Sequence, residues 1–298
     1  MARLLGLGCG QVGGSAEIAL VEALRAVEAA GAEVELVRLE DLRLPSGPDP
    51  TEPDDAWWFW ERLLEADGVI VSAPIISRTV PARLKVLIDR LLGPNADRAI
   101  IQGLLAKQAA GEEILVPFRV DERVIRPRVA GFIAVGGSLT PQWKTLTLPV
   151  MHTFTFSMQT AVVDQMVVSG AGTPKSIVLD DDALARAAEL GRRVASQLGR
   201  EFDAVEYLGE PGLCPLCHLD VVELKGRAVA CAGCGAQGRL ADDLSVEWTD
   251  LDTSVVSMTE KRDHYKEIVD TATRHAKQRD LIDERAAMYD FSDHLIRP

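Results

Sequence analysis

The stretch from Leu4 to Val37, LLGLGCGQVGGSAEIALVEALRAVEAAGAEVELV, leaves few folds open. It reads as a short apolar strand, a glycine-rich loop, an amphipathic helix and a second strand. The loop then falls at the carboxyl end of the first strand. There the opening turn of the helix offers unpaired N–H groups and partial positive charge, a setting that suits phosphate. Gly8, Gly10, Gly13 and Gly14 let the backbone approach an anion closely, Gln11 lies between them, and Ser15 adds a hydroxyl. The first expectation is a phosphate-bearing cofactor in this loop.

The chain continues with a Pro/Asp-rich surface loop (39–55), a short helix (57–67) and a buried strand, GVIVSAP (68–74). A helix over 81–93 has Pro81 in its first turn and Gly93 as its stop. Residues 94–128, with a helical stretch at 98–109 and the basic segment RVIRPR, read as an insertion or lid. RVAGFIAVGGS (128–138) is a strand running into a Gly-Gly-Ser loop. A helix is expected to start within 140–154, then a strand at 160–170 and an acid-capped amphipathic helix at 180–199. Strands alternating with helices through residue 200 imply one parallel sheet covered on both faces. The resulting division is an α/β domain over 1–205, a cysteine module over 206–247 and a helical arm over 248–298. The arm includes one long charged helix at 257–289 whose apolar residues are too sparse to form a core alone.

Bulk properties exclude several roles. The net charge of −13 argues against nucleic acid or an anionic membrane as partner. No apolar run approaches the roughly 20 residues needed to span a bilayer, and the first residues are needed as a strand rather than as a signal peptide. Four of the five cysteines fall in two CxxC pairs, which indicates metal chemistry in a reducing compartment, expected to be the cytoplasm.

GCGQVG (8–13) matches the GxGxxG dinucleotide fingerprint, with Glu40 near the end of the second strand where a ribose-binding acid would sit. On the loop alone, an NAD-binding fold and a flavodoxin-like fold stand level. The rest of the chain separates them. The opening unit, then ELVRLEDLRLP (35–45) and LLEADGVIVSAPIISRTVPARLKVLIDR (63–90), resembles the NADPH-dependent FMN reductase family, iron–sulfur flavoproteins included. Its most specific piece is Leu84, Lys85, Ile88, Asp89 and Arg90. The likeness extends through AVGGS (134–138) and covers roughly residues 2–200.

That resemblance implies a flavodoxin-like doubly wound five-stranded parallel sheet, strand order 2-1-3-4-5, binding FMN. Gly8 to Ser15 would take the phosphate. Pro74, Ile75, Ile76, Ser77 and Arg78 after the third strand, with Gly136, Gly137 and Ser138 after the fourth, would flank the ring. The phosphate loop has no arginine and only Ser15 as a hydroxyl, so backbone N–H groups carry the phosphate. Ile75 to Arg78 stand where many members place an aromatic, and Arg78 is either a solvated charge or a contact to flavin or nucleotide phosphate. His152 is the candidate proton donor, its alternative being a structural histidine. Trp57, Trp58 and Trp60 read as packing or subunit interface. Cys9 is expected to be a small buried residue, although its place at a helix N-terminus would lower its pKa.

Cys214-Pro-Leu-Cys217 and Cys231-Ala-Gly-Cys234-Gly235 form two knuckles thirteen residues apart. Four thiolates around one ion is the closed tetrahedral site of a structural zinc ribbon, and LDVVELKGRAVA between them suits a β-hairpin. Iron in a rubredoxin-like site is the rival. The cluster of the iron–sulfur relatives is not expected, since 39–56 has no cysteine. The whole reads as a homodimeric or homotetrameric NADPH- or NADH-dependent FMN oxidoreductase. Its acceptor would be a small molecule: a dedicated organic substrate, a quinone or free flavin. The alternatives are a non-catalytic scaffold that binds a protein through ribbon and arm, and a dinucleotide-binding dehydrogenase.

Overall fold

Apolar runs of strand length, too short for helices, build the centre of the molecule. The computed structural model describes residues 1–45, 53–289 and 294–296. In it β1 (Arg3–Gly8), β2 (Glu33–Arg38), β3 (Gly68–Pro74), β4 (Val129–Val135) and β5 (Ala161–Val168) form one parallel sheet in the order β2-β1-β3-β4-β5. β4 is buried along its whole length and β3 along nearly all of it, because helices cover both faces. Hence their sequences read as continuous apolar runs rather than as alternation. The order is flavodoxin-like and not the 3-2-1-4-5-6 of the dinucleotide-binding fold, which corrects the dehydrogenase alternative. GCGQVG reports only the first turn, whereas the order depends on where the chain goes after β2: it crosses to the far side of β1.

α1 (Ser15–Ala29) and α6 (Asp181–Gln197) cover one face. They pack backbone to backbone, since a Cβ on Gly191 would stand 2.1 Å from the Ala23 carbonyl oxygen. α2 (Ala56–Glu65), α3 (Ala82–Leu91) and α5 (Thr147–Phe156) cover the other face, with Phe59, Leu84 and Phe154 in its core. The expected helix within 140–154 begins only at Thr147, after a single tight turn at Pro141–Trp143. Residues 46–52 of the Pro/Asp-rich loop, and 290–293 and 297–298 at the end of the arm, lie outside the described residues.

The stretch 94–128, expected as an insertion or lid, packs at the amino ends of the strands. It carries α4 (Arg98–Ala109), and its basic segment is a staple. The Arg128 guanidinium, 3% exposed, donates to the carbonyls of Leu63, Leu64, Arg123, Val124 and Arg126 at 2.7–3.4 Å. Arg126 reaches Asp67, just before β3, at 2.8 Å. These contacts hold the segment at the end of the sheet opposite the loops that follow the strands, so it does not close over its own chain's loops.

β5 is an edge strand, and the later chain covers that edge. Leu208 N–H donates to the Val163 carbonyl at 2.7 Å, and the Gln165 side chain donates to the His218 carbonyl at 2.8 Å. Next to it lies a second, antiparallel sheet, β6 (Val222–Lys225), β7 (Ala228–Cys231), β8 (Gln237–Leu240) and β9 (Val246–Asp250). β6 and β7 are the expected hairpin; β8 and β9, which were not expected, are four and five residues long and alternate only between exposed and half-buried positions. The arm follows. The Ser257 side chain caps α7 (Met258–Ala276) by accepting from the Glu260 N–H at 3.0 Å, and α8 (Arg279–Ala286) comes after a break that no glycine or proline announces. α7 is anchored by Lys261, 6% exposed and 3.4 Å from Asp97, while Ile268 and Val269 face solvent.

Candidate active site

The loops after β1, β3, β4 and β5 meet at the carboxyl edge of the sheet. Behind β1, Gly14 N–H donates to the Gln11 carbonyl at 2.8 Å, and Gly13 has φ +68°. A Cβ on Gly14 would lie 2.9 Å from that carbonyl oxygen, and one on Gly10 would lie 3.1 Å from the Pro74 ring. The first-turn amides of Ser15, Ala16 and Glu17 have no partner within the helix and open toward the loop. Gly13 differs from its expected part. Its N–H donates to the buried Glu17 carboxylate at 2.8 Å, which also accepts from Arg38 at 2.8 Å, so Gly13 shapes the loop while its amide is already engaged. Gly8 ends β1 and packs against Leu20 of α1.

After β3, Ile76 and Thr79 exchange backbone hydrogen bonds of 2.8 and 3.0 Å around a two-residue turn. Ser77 (φ 47°) and Arg78 (φ 76°) occupy its left-handed positions, at a cost of about 1 kcal/mol or more each for non-glycine residues. The turn is braced from α5. Thr147 Oγ1 donates to the Arg78 carbonyl at 3.0 Å, and the Arg78 guanidinium donates to the Gln142 carbonyl at 2.8 Å and to Thr145 Oγ1 at 3.0 Å. Arg78 is thus a strut between two loops.

After β4, Gly136 lies against Ile75 and Gly137 touches Gly172; a Cβ on Gly137 would stand 2.9 Å from the Gly172 Cα. The Ser138 hydroxyl accepts from Thr140 N–H at 3.2 Å, closing its own turn. The β5 loop went unnoticed in the sequence. Gly172 belongs to it, the Thr173 carbonyl accepts from Ser15 Oγ at 3.4 Å, and the Lys175 side chain lies beside Gly13. The signal was available, since SGAGTPK follows an apolar strand as AVGGS does. Two cavities share Ile75, Gly136 and Gly137. One of about 370 Å³ runs from Gly10 and Ser15 to Thr173; the other, of about 140 Å³, lies between Arg78, Trp143 and Lys144. Together they reach the size of a typical ligand site.

His152 is elsewhere. It lines a separate cavity of about 280 Å³ with Tyr207 and His218. Its ring is 1% exposed, with Nε2 2.7 Å from Gln165 Oε1 and Phe132 at a centroid distance of 5.1 Å. Burial pushes its pKa from 6.5 down to about 4, so the ring is neutral at neutral pH and enclosed. A depressed folded-state pKa means that the unfolded chain takes up the proton first. His152 therefore contributes full stability above pH 6.5, and loses about 3 kcal/mol of it as pH falls to 4. Denaturant unfolding of the wild type should weaken across that window more steeply than that of a His152→Gln variant. Equal slopes would discard the assignment.

Cys9 is 1% exposed, and burial pushes its thiol above the ordinary range, which overrides the expected helix effect and leaves it inert. Trp60 is buried in the core, whereas Trp57 and Trp58 are each 52% exposed. Cys214, Cys217, Cys231 and Cys234 are all buried, with ligand atoms within 4.8 Å of one another. Sγ separations of 3.6 Å (Cys214–Cys234) and 3.4 Å (Cys217–Cys231) are far from a disulfide and close to tetrahedral thiolate spacing. Each knuckle needs a left-handed residue after its second cysteine: Gly235 (φ 85°) and, in the first, His218 (φ 56°). His218 stacks on Tyr207 at 3.5 Å. The set fits a metal, and the chain carries a four-cysteine, zinc-ribbon-like module beside its α/β domain.

A 2-1-3-4-5 parallel sheet with a helix N-terminal cradle after β1 and further loops converging on it defines a flavodoxin-like protein. The match to known sequences is narrower. The chain belongs to the NADPH-dependent FMN reductase family, whose profile matches residues 2–172, and is an FMN-dependent NAD(P)H oxidoreductase. It is 40% identical over 268 residues to a flavone synthase of Aspergillus candidus, covering 83% of this chain and 81% of that protein. It is 27% identical over 205 residues to an iron–sulfur flavoprotein of Methanocaldococcus jannaschii, covering 61% and 89%. The solved structure of a flavone reductase superposes with a TM-score of 0.81 at 27% identity, over 99% of this chain and 98% of that one. No helix among the described residues is long and apolar enough to cross a membrane.

Proposed function

We propose that this oxidoreductase reduces a flat, conjugated aryl ketone of the flavone type with electrons from NADPH or NADH, using FMN held at the carboxyl edge of the sheet. The likeness to the flavone reductase carries the substrate class, because it spans 99% of the chain, ribbon and arm included. The flavone synthase relative is named for the same ring system.

When bound, FMN supplies hydride transfer in both directions. The amides of Ser15, Ala16 and Glu17 and the Ser15 hydroxyl would hold its phosphate, in a cradle shaped by Gly8, Gly10, Gln11, Gly13 and Gly14. Lys175 at the rim adds the cation that the loop itself lacks. The left-handed turn presents the amides of Ser77 and Arg78, with Ile76 beside them, toward the ring. Pro74 and Ile75 offer an apolar wall, and Gly136, Gly137 and Ser138 bound the other side. His152 has no contact with this site, and its proposed part is structural.

Zinc is the proposed occupant of Cys214, Cys217, Cys231 and Cys234, with a structural role, because four thiols leave no open position. The domain scheme 1–205, 206–247 and 248–298 is retained as a proposal, as is a cytoplasmic location, which suits five cysteines outside any disulfide. A homodimer or homotetramer is proposed on the strength of α7. This 19-residue rod, about 28 Å long, shows Ile268 and Val269 to solvent.

The deciding experiment follows the visible spectrum of the FMN-reconstituted protein anaerobically with NADPH, then with flavone. Flavin bands that bleach on NADPH and return as flavone is consumed are expected. A protein that stays colourless after reconstitution would refute the FMN reading. Reoxidation by quinone or free flavin but not by flavone would refute the substrate reading.

A further inference from the structure

The smaller cavity at the site mouth combines features that phosphate and ring binding leave unused. It lies between the Arg78 turn and the 136–146 loop, and two cations but no carboxylate line it, in a chain of net charge −13. The two cations are not equivalent. Two of the three Arg78 guanidinium nitrogens brace Gln142 and Thr145. Lys144 Nζ is held by one hydrogen bond, to Ser169 Oγ at 2.6 Å, which fixes the ammonium while leaving two of its three donors free. Next to it Trp143 shows 54% of its surface, a large apolar plane at the entrance with no aromatic partner among the described residues. Trp143 ends a short 3₁₀ turn (Pro141–Trp143) and Lys144 follows it, both ahead of α5, which places the two side chains at the mouth.

We infer that Trp143 and Lys144 form the acceptor-recognising end of the site: the indole lies against an aryl ring of the substrate, and the Lys144 ammonium receives its carbonyl oxygen. This inference rests on the proposed aryl-ketone substrate. In such a reduction a hydride, originating from NAD(P)H, forms a C–H bond at the carbon β to the carbonyl. The C=C π bond breaks, and its electron pair moves through the conjugated system onto the carbonyl oxygen. Negative charge therefore develops at the atom that Lys144 contacts. A proton from water then bonds to the α-carbon and the carbonyl re-forms, so that NAD(P)H and one proton are consumed per C=C bond saturated. A donor aimed at developing charge accelerates such a step, and losing one typically costs about 10²–10³-fold in rate. Arg78 acts as a positioning residue, holding the loop that carries Lys144.

The test uses the FMN-loaded full chain and three variants, Lys144→Met, Lys144→Arg and Trp143→Phe. Lys144→Met should slow flavone reduction by about 10²–10³-fold. It should slow NADPH oxidation by dioxygen, a neutral acceptor without a carbonyl, far less. Lys144→Arg should recover part of the loss. Independently of turnover, flavone added to FMN-free protein should quench tryptophan fluorescence in the wild type, and this quench should vanish in Trp143→Phe. Equal slowing with flavone and dioxygen in Lys144→Met, or an undiminished quench in Trp143→Phe, would overturn the inference. Flavone reduction by the wild type that Lys144→Met leaves intact would overturn it while sparing the proposed substrate. No flavone reduction by the wild type would remove both.

Discussion

A Cys217→Ser chain is expected to be purified without its stoichiometric zinc and with β6 to β9 unfolded. The four-thiol cluster and its few apolar neighbours, Leu219 and Ala236 among them, are the whole core of that sheet, which is too small to fold without the ion. Structural zinc sites contribute about 10–16 kcal/mol of apparent binding energy, far more than so few buried side chains supply. Trp248 is a built-in reporter. It packs on the cluster, and its indole N–H donates to the Leu213 carbonyl at 3.1 Å, so its fluorescence should shift to the red as the sheet opens. The damage should spread to β5, whose edge loses the His218 contact, and appear as aggregation. Metal analysis and fluorescence of wild type and variant give the answer. Full zinc content and an unshifted spectrum in Cys217→Ser would discard the structural role, and iron–thiolate absorption in the wild type would replace zinc with iron.

The second large effect is expected at the glycine pair between two loops. In Gly137→Val the added Cβ would stand 2.9 Å from the Gly172 Cα, and backbone cannot yield as a side-chain tip does. The β4 and β5 loops must separate, widening the proposed cradle between Gly136 and Thr173. Overpacking costs of about 1–3 kcal/mol, if borne by the cradle, correspond to roughly fivefold to 150-fold weaker FMN binding. Gly93→Ala, whose Cβ would meet only Asn95 Oδ1 at 3.5 Å, serves as control and should bind FMN as the wild type does. Titration of FMN fluorescence against each protein measures this. Wild-type affinity in Gly137→Val would mean that the contact is incidental to the cofactor.

Most of the sheet was legible because its signals are local. Strands buried on both faces read as apolar runs of limited length, and the aspartates from Asp180 announced the start of α6. The first-loop cradle was legible for the same reason: glycines crowd where a backbone must turn within hydrogen-bond reach of itself. What escaped depends on contacts between distant residues. Nothing near His152 in sequence says that Gln165 and Phe132 will enclose it. Nothing near Glu17 in sequence says that Arg38 will join the Gly13 amide on its carboxylate. A helix was expected to start within 140–154, yet α5 begins only at Thr147, and the residue that binds the Gln142 carbonyl, Arg78, is distant in sequence. β8 and β9 are short and alternate only between exposed and half-buried, so their pattern is weak; register with β7 sets β8, and register with β8 sets β9.

The Glu17 carboxylate under the first loop is balanced within the protein, one oxygen toward an amide and the other toward the Arg38 guanidinium. A phosphate seated as proposed would meet oriented dipoles at close range, with the Lys175 side chain beside Gly13 as a full charge at the rim. Dipolar attraction acts over a few ångströms, well inside the roughly 10 Å at which dissolved salt screens at 0.1 M. Cofactor loading would then follow the supply of FMN around the protein rather than the ionic strength around it.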